Sequence, residues 1–217
     1  MFRKPEEIPN SALRINCSLP EVANALEMEE RKLFLYGEIM SVDNGEDAFE
    51  PTTSATSAIV KKIMEINRRD KDVPEEERKP IMLYINSPGG ELEEGFALVS
   101  TIELSKTPVY TVNVGMWCSM AFLIGICGHK RFSLPYMTFL MHEASGFSIG
   151  KISSMADKLG FDKRFSERVV KELVLKHSKM TRKKYETVSK KEFYMLPEDA
   201  LELGFIDEIV TDINAIL

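Results

Sequence analysis

The sequence predicts an α/β protein whose parallel or mixed sheet is connected by crossover helices. Short apolar runs of strand length recur along the chain, and segments with apolar residues at helical spacing separate them. Strands joined in that way pair in parallel and need crossover connections. At 217 residues and 44% hydrophobic content, the chain has material for one full core and reads as a single domain over 1–217.

The elements follow in order. Residues 1–31 carry three prolines and little periodicity, so they read as an extended arm. Lys32 to Ile39 is a strand, and Ser41 to Pro51 is an acidic, turn-rich surface loop. Ala58, Ile59, Ile63 and Ile66 return at helical spacing and predict a helix over Thr53 to Arg68. Arg69 to Lys79 is almost wholly charged and reads as a solvated connection. Ile81 to Ile85 is a buried strand, and the helix after Gly90 carries Leu92, Phe96, Val99 and Ile102. Val109 to Val114 is again a strand, followed by the apolar segment Met120 to Cys127 and short strands at Arg131–Ser133 and Thr138–Met141. Apolar residues from Ile152 to Leu175 predict a helix of about 25 residues, set within 151–178 and longer than the usual 10–14. A helix that long projects and packs on another subunit. The end reads as a short helix between Pro197 and Gly204 and a last strand over Phe205 to Val210.

Composition narrows the function. A formal net charge of −6 argues against nucleic acid as a partner. No apolar run reaches the roughly 18 residues of a membrane span, and no apolar core follows the first positive charges as in a secretory signal. The three cysteines, Cys17, Cys118 and Cys127, have neither disulfide nor metal-ligand spacing, which fits a reducing cytoplasm. His129 and His177 lie among lysines and read as polar surface.

Three segments carry chemistry. Tyr84-Ile-Asn-Ser-Pro-Gly-Gly90 is an apolar run ending in a double-glycine turn, Gly115-Met-Trp-Cys-Ser-Met120 presents a serine, and Phe139-Leu-Met-His142 ends in a histidine. A hydroxyl, an imidazole and a glycine turn with open N–H groups are the parts of serine acyl transfer: nucleophile, general base and oxyanion hole. Each alone has a plainer reading, since a serine in an apolar stretch is ordinarily a small core residue.

Together, and in this order, the segments resemble the proteolytic subunit of the Clp protease (ClpP). Lys130-Arg-Phe-Ser-Leu-Pro135 and the ending Ala200…Gly204-Phe-Ile-Asp207 strengthen the likeness, which covers roughly Lys32 to Val210. The resemblance implies a ClpP/crotonase-like spiral of strand–strand–helix units with a protruding handle helix. It also implies a double heptameric ring around a chamber, a tetradecamer degrading polypeptides fed by an AAA+ ATPase unfoldase. Carried over by position, Ser119 is the nucleophile, His142 its base, and the N–H groups of Gly90 and Met120 the oxyanion hole. Gly146 and Gly150, which otherwise mark only a bulge, would lie on the strand that pairs with substrate main chain. The resemblance implies no metal or cofactor, and with no Gly-x-x-x-x-Gly-Lys-[Ser/Thr] loop here, ATP belongs to the partner.

The chain departs from the family in two places. Glu192 stands where an aspartate usually completes the triad; a glutamate can orient an imidazole at the cost of one extra methylene. Met116, Trp117 and Cys118 replace small residues before the nucleophile, and their bulk is expected to narrow the pocket for the residue preceding the cleaved bond. Three other readings stand beside a cellular peptidase: a phage-type head-maturation protease, a catalytically inactive ring scaffold, and a crotonase-type acyl-CoA enzyme. A Ser-His pair argues against the last.

Overall fold

The computed structural model describes residues 31–41, 54–143 and 151–217. The expected N-terminal arm (except Arg31), most of the acidic loop, and Gly146 and Gly150 lie outside the described residues. Three strand–helix units come first: β1 (Lys32–Ile39), α1 (Ala55–Arg69), β2 (Ile81–Gly90), α2 (Leu92–Leu104), β3 (Val109–Cys118) and α3 (Met120–Ile126). Then come β4 (Lys130–Ser133), β5 (Thr138–Met141), α4 (Ile152–Phe165), a π-helical stretch (Ser166–Val170), α5 (Lys171–Lys176) and α6 (Arg182–Val188). β6 (Phe193–Met195), α7 (Pro197–Glu202), β7 (Glu208–Ile209) and a 3-10 turn (Ile213–Ile216) complete the chain.

The strands run in the order β1-β2-β3-β4-β7, every pair parallel, as crossover helices require. β3 is long enough to serve two partners on one edge. Tyr110 to Asn113 pair with β4, whereas Met116 to Cys118 pair with β5, which then takes β6 antiparallel. The sheet therefore branches at β3, and the branch carries the ends of β3 and β5 together. The main core fills the space under the helices with Leu33, Ile63, Leu83, Ile85, Leu98, Ile102 and Phe122, all fully buried. Each such side chain contributes about 1.5–3 kcal/mol by leaving water. A smaller cluster of Tyr84, Val112, Phe132, Val210 and Ile216 forms separately.

Local chemistry sets the element ends. The Ser54 hydroxyl accepts from Ser57 N–H (3.1 Å) and caps α1. The hydroxyls of Ser54 and Thr56 also donate to Glu94, each at 2.6 Å, tying α1 to α2 and holding the Glu94 carboxyl below its usual range.

The charged connection after α1 is not wholly solvated. Asp70 is buried, takes both terminal nitrogens of Arg31 (2.6 and 2.7 Å) and accepts from the Thr107 hydroxyl (2.8 Å). The Arg31 guanidinium holds the Asp70 carboxyl below its usual range.

The long helix runs from Ile152 to Lys176 but not with one period, because the π-helical stretch shifts its register after Phe165. All of α4 before Phe165 is exposed in the protomer, with Ile152 at 87% and Leu159 at 56%. The final strand is shorter than Phe205 to Val210. Gly204 sits at φ 73°, and both Phe205 and Ile206 N–H still bond to Ala200 C=O, so the chain turns until Asp207. Helix α6, capped by Thr181, and strand β6 have no counterpart in the sequence reading.

Candidate active site

Ser119 lies where β3 turns into α3, at φ 54° and ψ −122°. A non-glycine residue held there stores strain, and such residues cluster at active sites. Two sets of bonds hold it. Its N–H donates to Leu140 C=O (2.9 Å) at the end of β5, and its own C=O accepts from Phe122 and Leu123 N–H. Met120, the first residue of α3, keeps its N–H outside the helical ladder, beside the serine.

The glycine turn at the end of β2 backs this elbow. A Cβ on Gly89 would lie 2.6 Å from Cys118 O, 2.7 Å from Ser119 Cβ and 2.8 Å from Met120 N, so only glycine allows the approach. Gly90, at φ 147°, presses instead on β1, where a Cβ would fall 2.0 Å from Ile39 O. The Ile39 carbonyl is taken by Glu91 N–H (2.8 Å). The Ser87 hydroxyl accepts from Gly89 N–H (3.1 Å) and shapes the turn.

Ser119, Met120 and His142 open onto one cavity of about 70 Å³. Its lining also includes residues to which the sequence assigned no role: Ser166, Glu167 and Val170 of the π-helical stretch, Tyr185 of α6, and Ser189 with Lys190 beyond it. The first three lie where the helical register shifts.

Glu192 is not among the residues that line this cavity. Its negative charge lies near Tyr194 and raises the Tyr194 phenol. The register Leu140↔Tyr194 and Met141↔Phe193, continued by one step, sets His142 opposite Glu192. In an antiparallel pair, residues opposite each other share a face. Among the described residues, no hydrogen bond joins Ser119 to His142 or His142 to Glu192. Catalytic hydrogen bonds that tighten only around substrate behave this way.

Met116, Trp117 and Cys118 are not among the residues that line this cavity. Trp117 is fully buried, edge-on to Phe139 (ring centroids 5.4 Å apart), and Gly125 makes room for its indole. Strand alternation sends Trp117 into the core and Cys118 to the opposite face. Burial raises the Cys118 thiol above its ordinary value, so it is a poor source of thiolate beside the serine. His177 is not simple surface either: half-buried, it lies 2.7 Å from Glu103, and burial lowers its basicity. His129 is exposed as expected, but its Nδ1 accepts from Val109 N–H (3.1 Å).

A strained serine and a histidine are thus brought to one cavity of an α/β protein by a crossover-built sheet. The chain belongs to the Clp protease family, whose family model, Clp protease, matches residues 51–212. It is also similar to the ATP-dependent Clp protease proteolytic subunits of Dehalococcoides mccartyi strains BAV1, CBDB1 and 195. Each is 29% identical over 188 residues, covering 86% of this chain and 84% of the relative. It is therefore a ClpP-type peptidase with the mixed α/β fold of that family. Among the described residues, no helix is long and apolar enough to cross a membrane.

Proposed function

We propose that this protein is a cytoplasmic serine endopeptidase that degrades unfolded polypeptides inside an oligomeric chamber. One observation carries the reading: Ser119, in a backbone conformation that costs energy, opens onto the same cavity as His142. Ser119 Oγ attacks the peptide carbonyl as His142 accepts its proton. The N–H groups of Met120 and Gly90 receive the developing oxyanion. His142 returns the proton to the leaving amine, and water releases the acyl group by the same steps in reverse. Glu192 holds the imidazole in the productive tautomer. Gly146 and Gly150 belong to the strand that receives substrate main chain.

The exposed apolar side chains of α4 support assembly across the handle, as in a double heptameric ring. ATP dependence, which the relatives carry in their names, would come from an AAA+ unfoldase, since this sequence has no phosphate-binding loop. Ser119→Ala should lose peptide turnover by several orders of magnitude, leaving on the order of 10³ over water from binding and oxyanion donors. Full activity in that variant would overturn the serine mechanism. A wild-type ring with no turnover and no labelling by a fluorophosphonate would make the chain a scaffold.

A further inference from the structure

A second chemical cluster lies apart from the serine, where three helices end. Glu103 is the penultimate residue of α2, Cys127 caps the C-terminus of α3, and His177 caps the C-terminus of α5. Their ligating atoms all lie within 4.8 Å of one another. Helix C-termini carry partial negative charge and unpaired carbonyls, so three of them converging make a place for a cation. A cation already stands there: Lys176 Nζ lies 2.5 Å from Glu103 Oε1, on a side chain 62% exposed. The cluster opens onto a broad cavity through which a hydrated ion can reach it.

We propose that Glu103, Cys127 and His177 form a binding site for a thiophilic divalent metal ion of the zinc type, with water as the fourth ligand. The donor set selects the ion, because one sulfur, one imidazole nitrogen and one carboxylate oxygen suit Zn²⁺ or Co²⁺ and not Mg²⁺ or Ca²⁺. The exchange is balanced. Cys127 Sγ–H, which now donates to Leu123 C=O (3.1 Å), gives its proton to water and binds as thiolate. The ammonium of Lys176 swings into solvent, and the 2.7 Å contact between His177 and Glu103 opens to admit the ion between them. The bound ion would fasten the end of α5, which continues the handle, to the far end of α3, the helix that follows Ser119. The sequence conceals the site because its three ligands are far apart along the chain.

Co²⁺ titration of the metal-stripped full-length protein tests this, read by thiolate-to-cobalt charge-transfer absorption and by the thermal midpoint. The wild type should give a saturable one-to-one signal and a midpoint raised by roughly 5 °C in hundredfold excess over Kd. Cys127→Ser should lose the charge-transfer band. His177→Gln and Glu103→Gln, at partly exposed positions, should each weaken binding at least roughly tenfold. Lys176→Ala, which removes the competing cation, should strengthen it. Absence of the band in the wild type, its persistence in Cys127→Ser, or unchanged affinity in His177→Gln would each overturn the site. Should Cys127→Ser fail to fold, the His177 and Lys176 variants decide. None of these readouts depends on peptidase activity.

Discussion

Substituting Gly89 by alanine tests whether the glycine turn positions the nucleophile. The new Cβ would meet Cys118 O at 2.6 Å, Ser119 Cβ at 2.7 Å and Met120 N at 2.8 Å, and the backbone stands at φ 96°. Two of these neighbours are backbone atoms that cannot rotate away, so the strain must move the elbow itself. Restoring ordinary contact at 3.4 Å requires Ser119 and Met120 to retreat by most of an ångström. A displacement of that size costs on the order of 10² in rate. The positive φ adds about 1–3 kcal/mol of destabilisation. Gly37→Ala is the control, because φ is 79° there but nothing lies within 4 Å of the added Cβ. Peptide-hydrolysis kcat/KM, with sedimentation to confirm equal assembly, should fall about a hundredfold in Gly89→Ala and little in Gly37→Ala. If Gly89→Ala stays within about threefold of wild type, the turn does not position the serine.

Other perturbations separate the remaining roles. Glu192→Gln should lower turnover by roughly 10²–10⁴, and unchanged turnover would leave Ser119 and His142 acting as a dyad. Charged residues at Ile152 and Leu159, both exposed in the protomer, should yield monomers or single rings in sedimentation with activity falling alongside; intact double rings would contradict assembly through the handle. Asp70→Asn should lower stability at neutral pH by about 2 kcal/mol, since it breaks a charge-assisted bidentate bond to Arg31. Because the folded Asp70 carboxyl titrates below its unfolded value of about 3.8, its contribution is full above that value and fades as pH falls through the lower folded value. Thermal midpoints of the two proteins should therefore converge in strong acid, and a constant gap would refute the assignment.

Much of the site was legible because its chemistry sits at strand ends. Ser119, His142 and the glycines at 89–90 each terminate an apolar run, and the branch at β3 brings the ends of β3 and β5 together. What escaped the sequence reading depends on tertiary context. Glu167 lines the cavity from a π-helical stretch that interrupts a pattern otherwise reading as one helix. The bulk of Trp117 goes into the core, where strand alternation directs it and Gly125 leaves space for the indole. Asp70 stood in a charge run that reads as solvated until Arg31 and Thr107 close around it. Phe205 and Ile206 have strand-forming side chains, but the turn at Gly204 and two bonds to Ala200 C=O delay the strand to Glu208.

In the proposed mechanism everything turns on Ser119 as the nucleophile that His142 activates. Labelling the assembled protein with a fluorophosphonate and locating the adduct by peptide mass spectrometry tests it most directly. One adduct, on Ser119 and lost in His142→Ala, is the expected result. An adduct on Cys118, or labelling that persists undiminished without His142, would contradict the account.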